Sequence, residues 1–155
     1  MSEFVCFKAL TPELRAGDRD GVIAELVSLL EQAGRLGKAK GKEIQKEVIK
    51  RENEASTGMG KGVAVPHVKH QAVNDVVAAI GLSRDGIDFS ALDKQPVYSI
   101  ILLVSPVVNP DGHLQAMESV FMHLQKEKFR KFLRQCNTPE QIKELVLEAD
   151  GDPSL

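Results

Sequence analysis

The chain has only two cysteines, Cys6 and Cys136, in 155 residues, and they form neither a CxxC pair nor a disulfide framework. No apolar run approaches the roughly 18 residues that a membrane-crossing helix needs, so no direct membrane insertion is expected. The best run, residues 97–104, has the length of a strand. The opening Met1-Ser2-Glu3-Phe4 lacks a basic segment followed by an apolar one, so no secretory signal is expected. Together with the cysteine usage this points to a cytoplasmic protein. There is no excess of one charge either: 20 Lys+Arg against 22 Asp+Glu leave a net −2, without the electrostatic footprint of a nucleic-acid binder. Repeats, low-complexity segments and linkers are also missing. What is present is ordinary globular material, 43% hydrophobic and 27% charged. A single domain over residues 1–155, with its core in about 4–150, is expected.

Periodicity organises the chain. Asp18 or Asp20 can cap a helix carrying Val22, Ile23, Leu26, Val27, Leu29, Leu30 and Ala33, ended by Gly34 and Gly37. A second helix over 42–54 has a narrow stripe of Ile44, Val48 and Ile49, and 55–61 reads as a glycine-rich loop. Residues 63–65 alternate as a strand closed by Pro66. Residues 76–82 and 97–104 read as strands covered on both faces, joined by a turn-rich stretch over 83–94. The last third reads as helices. One holds Leu114, Met117, Val120, Phe121 and Leu124, a second Phe129, Phe132, Leu133 and Cys136, and a third opens on the capping box Thr138-Pro139-Glu140-Gln141. Residues 151–155 are expected to fray. This order predicts an α/β chain, a sheet with helices on both faces.

Four histidines are the first chemical candidates. His67 and His70 form an HxxH pair, but i,i+3 ligands need a helix, and Pro66 predicts extended chain there; no metal site is expected. His123 lies inside a helix next to Met122 and Leu124 and reads as a residue at the boundary between its buried and exposed faces. The glycine-rich stretch matches neither a Walker A motif nor GxGxxG, so no nucleotide is expected. Thr57-Gly58-Met59-Gly60-Lys61-Gly62-Val63-Ala64-Val65-Pro66-His67 nevertheless has glycine at alternate positions and an imidazole at a strand tip. A tight turn and a surface histidine would explain it equally well. His113 follows Asn109-Pro110-Asp111-Gly112, in the first turn of a helix, where the dipole disfavours an imidazolium. Arg51, sixteen residues before His67, closes the second helix and offers a planar fork of donors for phosphoryl oxygens. Lys42, Lys46 and Lys50 read as a solvated face.

That run, with Arg51-Glu52 before it and His113-Leu114 after it, resembles the enzyme IIA domains of the bacterial phosphotransferase system, fructose/mannitol/nitrogen-regulatory type. The resemblance implies a three-layer sandwich with a mixed β-sheet between α-helices. It implies that His67 accepts a phosphoryl group from the histidine-containing phosphocarrier protein and passes it to a cysteine of an enzyme IIB domain. In the nitrogen-regulatory branch, the phosphorylation state of His67 would instead control binding to regulatory proteins. Arg51 is implied to hold the phosphoryl oxygens and His113 to support His67; Thr57 and the N–H groups around 58–62 are further candidate donors. No cofactor is implied. Val68 and Lys61 stand where the family commonly has small residues.

Overall fold

The computed structural model describes all 155 residues. Its elements are β1 (Val5–Thr11), α1 (Arg19–Gln32), α2 (Gly41–Glu54), β2 (Gly58–Gly60), β3 (Val63–Ala64), β4 (His67–Lys69), β5 (Val77–Ile87), β6 (Val97–Ser105), α3 (Pro110–Leu124), α4 (Glu127–Gln135) and α5 (Pro139–Gly151). The strands form one mixed sheet in the order β1-β5-β6-β3-β2. β5 runs antiparallel to the central strand β6, whereas β3 and β4 lie end to end along its other edge, both parallel to it.

Alternation along β6 sorts the core into two layers, because successive side chains leave opposite faces of a strand. Ile100, Leu102 and Val104 pack with Leu26, Leu30, Ile44 and Val48 of α1 and α2. Ile101 and Leu103 pack with Val120, Phe129, Leu133 and Val146 of α3, α4 and α5. Each fully buried Leu or Ile contributes about 1.5–3 kcal/mol. The expected three-layer sandwich is thus the fold.

The caps follow the side-chain chemistry. Asp18, rather than Asp20, caps α1 by accepting from the Gly21 N–H at 2.7 Å. Thr138 accepts from the Gln141 N–H at 3.1 Å, while Gln141 reaches back one residue beyond the cap, to the N–H of Asn137. Pro66 falls in the gap between β3 and β4, where its missing donor costs nothing and its carbonyl accepts from the Leu103 N–H.

Several elements differ from the sequence reading. β1 and the short β2 and β4 are additional strands. Of the turn-rich stretch 83–94, residues 83–87 are instead the distal part of β5, with Gly86 at φ +88°, while 88–94 stay outside any helix or strand. The tail does not fray: α5 continues to Gly151, and Leu155 is buried with its carbonyl held by Lys126 Nζ.

Candidate active site

β4 and β6 end together, and the chain leaving β6 turns at once into α3. Open α/β sheets characteristically hold their ligands at such carboxyl ends. His67 pairs in register with Leu103, and its Nδ1 lies 2.8 Å from the carbonyl oxygen of Val65. A carbonyl only accepts, so Nδ1 carries the ring proton and the Nε2 lone pair is left free. The ring of His113 lies 5.6 Å away, centroid to centroid, tilted by 44°.

His113 is brought there by the start of α3. Asn109 caps the helix by accepting from the Gly112 N–H at 3.0 Å, Pro110 stands in its first turn, and the His113 N–H closes onto the Asn109 carbonyl. The His113 side chain is buried, with Nδ1 2.6 Å from Oγ of Ser105, itself wholly buried at the end of β6. The hydroxyl can donate to that nitrogen or accept from it, so this contact holds the ring in place whichever nitrogen carries the proton. Burial pushes the His113 pKa down to about 4, and positive charge at His67, Lys69 and Arg51 pushes the same way. The ring is therefore neutral at pH 7.

Arg51 sits in the last turn of α2, exposed and without an ion-pair partner, close enough for its charge to be felt at His113. The neighbouring Glu52 points inward, 4% exposed. It accepts from the Thr57 N–H at 3.1 Å and from the Thr57 hydroxyl. The site thus combines a free imidazole nitrogen, a neutral second imidazole and an uncommitted guanidinium, a set suited to holding and transferring an anionic group.

The family model described as "Phosphoenolpyruvate-dependent sugar phosphotransferase system, EIIA 2" matches residues 8–149. The chain belongs to this family. A fructose-specific EIIA component from Haloferax volcanii is 29% identical over 84% of this chain and 83% of its own length. A nitrogen regulatory protein from Pseudomonas aeruginosa is 26% identical over 87% of this chain and 86% of its own. The fructose-specific EIIABC component of Bacillus subtilis is 28% identical over 97% of this chain, but the match spans only 23% of that longer protein. Among solved structures, the nitrogen regulatory protein IIA-Ntr of Neisseria meningitidis superposes with a TM-score of 0.84 at 23% identity, covering 94% of this chain and 97% of that one. These enzyme IIA proteins are phosphotransferase components, and no helix here is long and apolar enough to cross a membrane.

For this enzyme IIA chain the structure brings together His67, His113 and Arg51, but not every residue the sequence suggested. The Thr57 hydroxyl is taken by Glu52, so Thr57 pins the turn after α2 instead of facing a phosphoryl group. The glycine-loop donors are elsewhere. The N–H of Gly58 is bound to Ser56 Oγ and that of Lys61 to Asp93. Gly62 bonds at Tyr98, five residues along β6 from the partner of His67. That is about 16 Å at ~3.3 Å per strand residue.

His70 parts from His67 because alternate strand residues face opposite layers. It is buried, with Nε2 3.1 Å from Glu43 and 4.0 Å from Glu47 on α2, and these three ligand atoms lie within 4.8 Å of one another. The Ala72 N–H donates to Nδ1 at 2.9 Å, however, which puts the ring proton on Nε2, the atom that faces the carboxylates. The trio is a hydrogen-bonded clasp between α2 and the end of β4. His123 is not at a boundary: it is buried edge-on against Phe129, donating from Nδ1 to the Ser119 carbonyl.

Three residues escaped the sequence reading. Ser105 holds His113, and Glu52 holds the turn after α2, the helix that carries Arg51, through contacts set by the fold that left no local signal. Lys69 was legible, because in an extended chain it shares a face with His67 two residues earlier.

Proposed function

We propose that this chain is a phosphohistidine carrier in which Nε2 of His67 accepts a phosphoryl group from the histidine-containing phosphocarrier protein and passes it to a cysteine of an enzyme IIB domain. The observation carrying this reading is the Val65 carbonyl on Nδ1 of His67, which leaves Nε2 as the nucleophile. In the first step the Nε2 lone pair forms a bond to phosphorus as the donor's N–P bond breaks, and the donor imidazole leaves. The positive charge that develops on the His67 ring is shared with the Nδ1–H, and the Val65 carbonyl stabilises it. Phosphoryl transfer asks mainly for in-line positioning and for donors on the equatorial oxygens. Arg51 supplies a guanidinium; in this scheme the Ser105 hydroxyl donates to Nδ1 of His113, so that neutral ring presents a single Nε2–H. In the second step the thiolate of enzyme IIB attacks phosphorus, the N–P bond breaks, and the neutral His67 returns.

Both proposed partners are proteins, and the rim of the site suits them. Val107, Val108 and Leu114 beside His113 are 55%, 92% and 58% exposed, apolar surface of a kind that protein partners cover. A solved complex of the Escherichia coli mannitol enzyme IIA with phosphorylated enzyme IIB has the same fold as this chain, with a TM-score of 0.75 at 18% identity, over 91% of this chain and 95% of that one.

A regulatory role is the second reading, favoured by the similarity to the Pseudomonas nitrogen regulatory protein. There the roughly two negative charges added at His67 would switch the same rim between partners. The test is an intact-mass assay with phosphoenolpyruvate, enzyme I and the phosphocarrier, comparing the wild-type chain with His67→Ala. Gain of one acid-labile phosphoryl group by wild type alone supports the carrier reading; no gain by folded wild type contradicts it. Onward loss to an added enzyme IIB domain supports sugar uptake, and retention in the presence of such domains supports regulation.

A further inference from the structure

At the far end of β6 from His67, a cavity of about 430 Å³ is lined by Lys61, Glu127, Arg130, Lys131, Arg134 and Gln135. Four of these six side chains are cations against one carboxylate, on a chain whose overall charge is −2. No carboxylate lies within ion-pair distance of any of the four. Unbalanced charge gathered in a concavity attracts anions.

The two arginines are also held in place. Arg134 lies over the ring of Tyr98, 3.6 Å from its centroid. That ring in turn rests where Gly62 and Gly86 carry no side chain: a Cβ at either would meet it at 3.3 or 3.1 Å. Both glycines have positive φ, +78° and +88°, and so make the turns that leave this seat. Arg130 is anchored through Nη1 to the Leu124 carbonyl at 2.8 Å. Lys61 projects from the glycine hairpin at φ +61°, with its N–H tied to Asp93. Guanidiniums fixed in this way lose little freedom when they bind an anion.

We propose that this cavity is a binding site for a phosphorylated sugar or polyol, separate from the His67 site. Two of its features select that class. The clustered cations match a phosphate monoester dianion, which arginine forks bind bidentately. The remaining lining, Gln135 and Glu127, offers acceptors for hydroxyl groups, and no apolar residue lines the cavity to support a nucleobase or an acyl chain. The glycine-alternating hairpin, about 16 Å from His67 along β6, is thereby given a purpose that the phosphoryl site does not. The inference rests on this cavity alone and stands or falls apart from the carrier reaction.

The test is amide NMR titration of ¹⁵N-labelled protein at low salt with fructose 6-phosphate, fructose, sulfate and AMP. For a ligand of this size an affinity on the order of 0.1–1 mM is expected. Fructose 6-phosphate should give saturable shifts confined to Lys61, Tyr98 and residues 127–135, and these should persist in His67→Ala. Fructose should give none, and sulfate and AMP should bind at least tenfold more weakly. Lys131→Gln should weaken binding severalfold and Lys131→Gln/Arg134→Gln at least tenfold, both with unchanged phosphorylation of His67. Lys131 is exposed and has no partner, so its variant folds even where loss of the Tyr98 stack unsettles the double variant. Absence of saturation to 10 mM, shifts centred on His67 and Arg51, or equal binding of sulfate would each overturn the proposal.

Discussion

Replacing Ser105 by alanine tests how the second histidine is held. The serine is wholly buried, and the one hydrogen bond of its hydroxyl goes to Nδ1 of His113, 2.6 Å away. Alanine leaves that nitrogen buried without a partner, which costs about 1–3 kcal/mol of stability. It also frees the neutral ring to move its proton from Nε2 to Nδ1, or to turn. A hydrogen bond from Nε2–H to a phosphoryl oxygen is charge-assisted and worth about 1.5–3 kcal/mol. Its loss should therefore slow transfer by about 10- to 150-fold. Single-turnover phosphorylation by the phosphocarrier, followed by quenched-flow mass spectrometry, gives the rate, and ¹⁵N chemical shifts of the His113 ring give the tautomer. The double-mutant cycle with His113→Ala is decisive, because a residue acting only through His113 should have no further effect once that ring is gone. If Ser105→Ala slows transfer as much in the His113→Ala background as in the wild type, or leaves the tautomer unchanged, the reasoning is wrong.

Other perturbations separate chemistry from stability. Arg51 is exposed and without an ion-pair partner, so Arg51→Ala should shift stability by no more than about 0.5 kcal/mol. Transfer should nevertheless fall by about 100-fold or more, as for other donors to developing charge, and comparing the melting curve with the single-turnover rate checks both halves. Glu52→Ala should do the reverse. Stranding the Thr57 N–H and hydroxyl should cost about 2–4 kcal/mol, read as a lower denaturation midpoint in urea. The low pKa of His113, about 4, gives a pH dependence: between pH 6.5 and 4 the unfolded chain takes up a proton there that the folded chain refuses. Stability should be full above pH 6.5 and fall by at most about 3 kcal/mol as pH drops towards 4, and urea titrations should show a shallower fall in His113→Gln.

The sequence was most legible where a local rule and the global fold coincide. The long apolar runs of β5 and β6 and the stripes of α1 to α5 each satisfy one period, and their packing honours it except at Leu114 and Phe132, which stay exposed. β1 was missed because Phe7 and Lys8 interrupt its pattern, and β4 because three residues held only by β6 have no period of their own. Pairing also overrode local chemistry in β5, which continues through Ser83–Ile87 although those residues look like a turn. At the site, His67, His113 and Arg51 were legible because histidine at a strand tip or a helix start, and arginine at a helix end, have intrinsic chemistry. Ser105 and Glu52 were not, since a serine ending an apolar strand and a glutamate on a charged helix look ordinary until tertiary structure supplies their partners. The glycine hairpin carried the motif yet lies at the other end of β6, because motif spacing says nothing of strand direction.

The central claim, that Nε2 of His67 is the phosphoryl acceptor, is tested most directly by long-range ¹H–¹⁵N NMR of the phosphorylated chain with ¹⁵N-labelled histidine. The account predicts one phosphohistidine, at His67, with ¹⁵N–³¹P coupling on Nε2 and a proton retained on Nδ1. Coupling on Nδ1, which would require the Val65 hydrogen bond to break, or a phosphoryl group on His113, would contradict it.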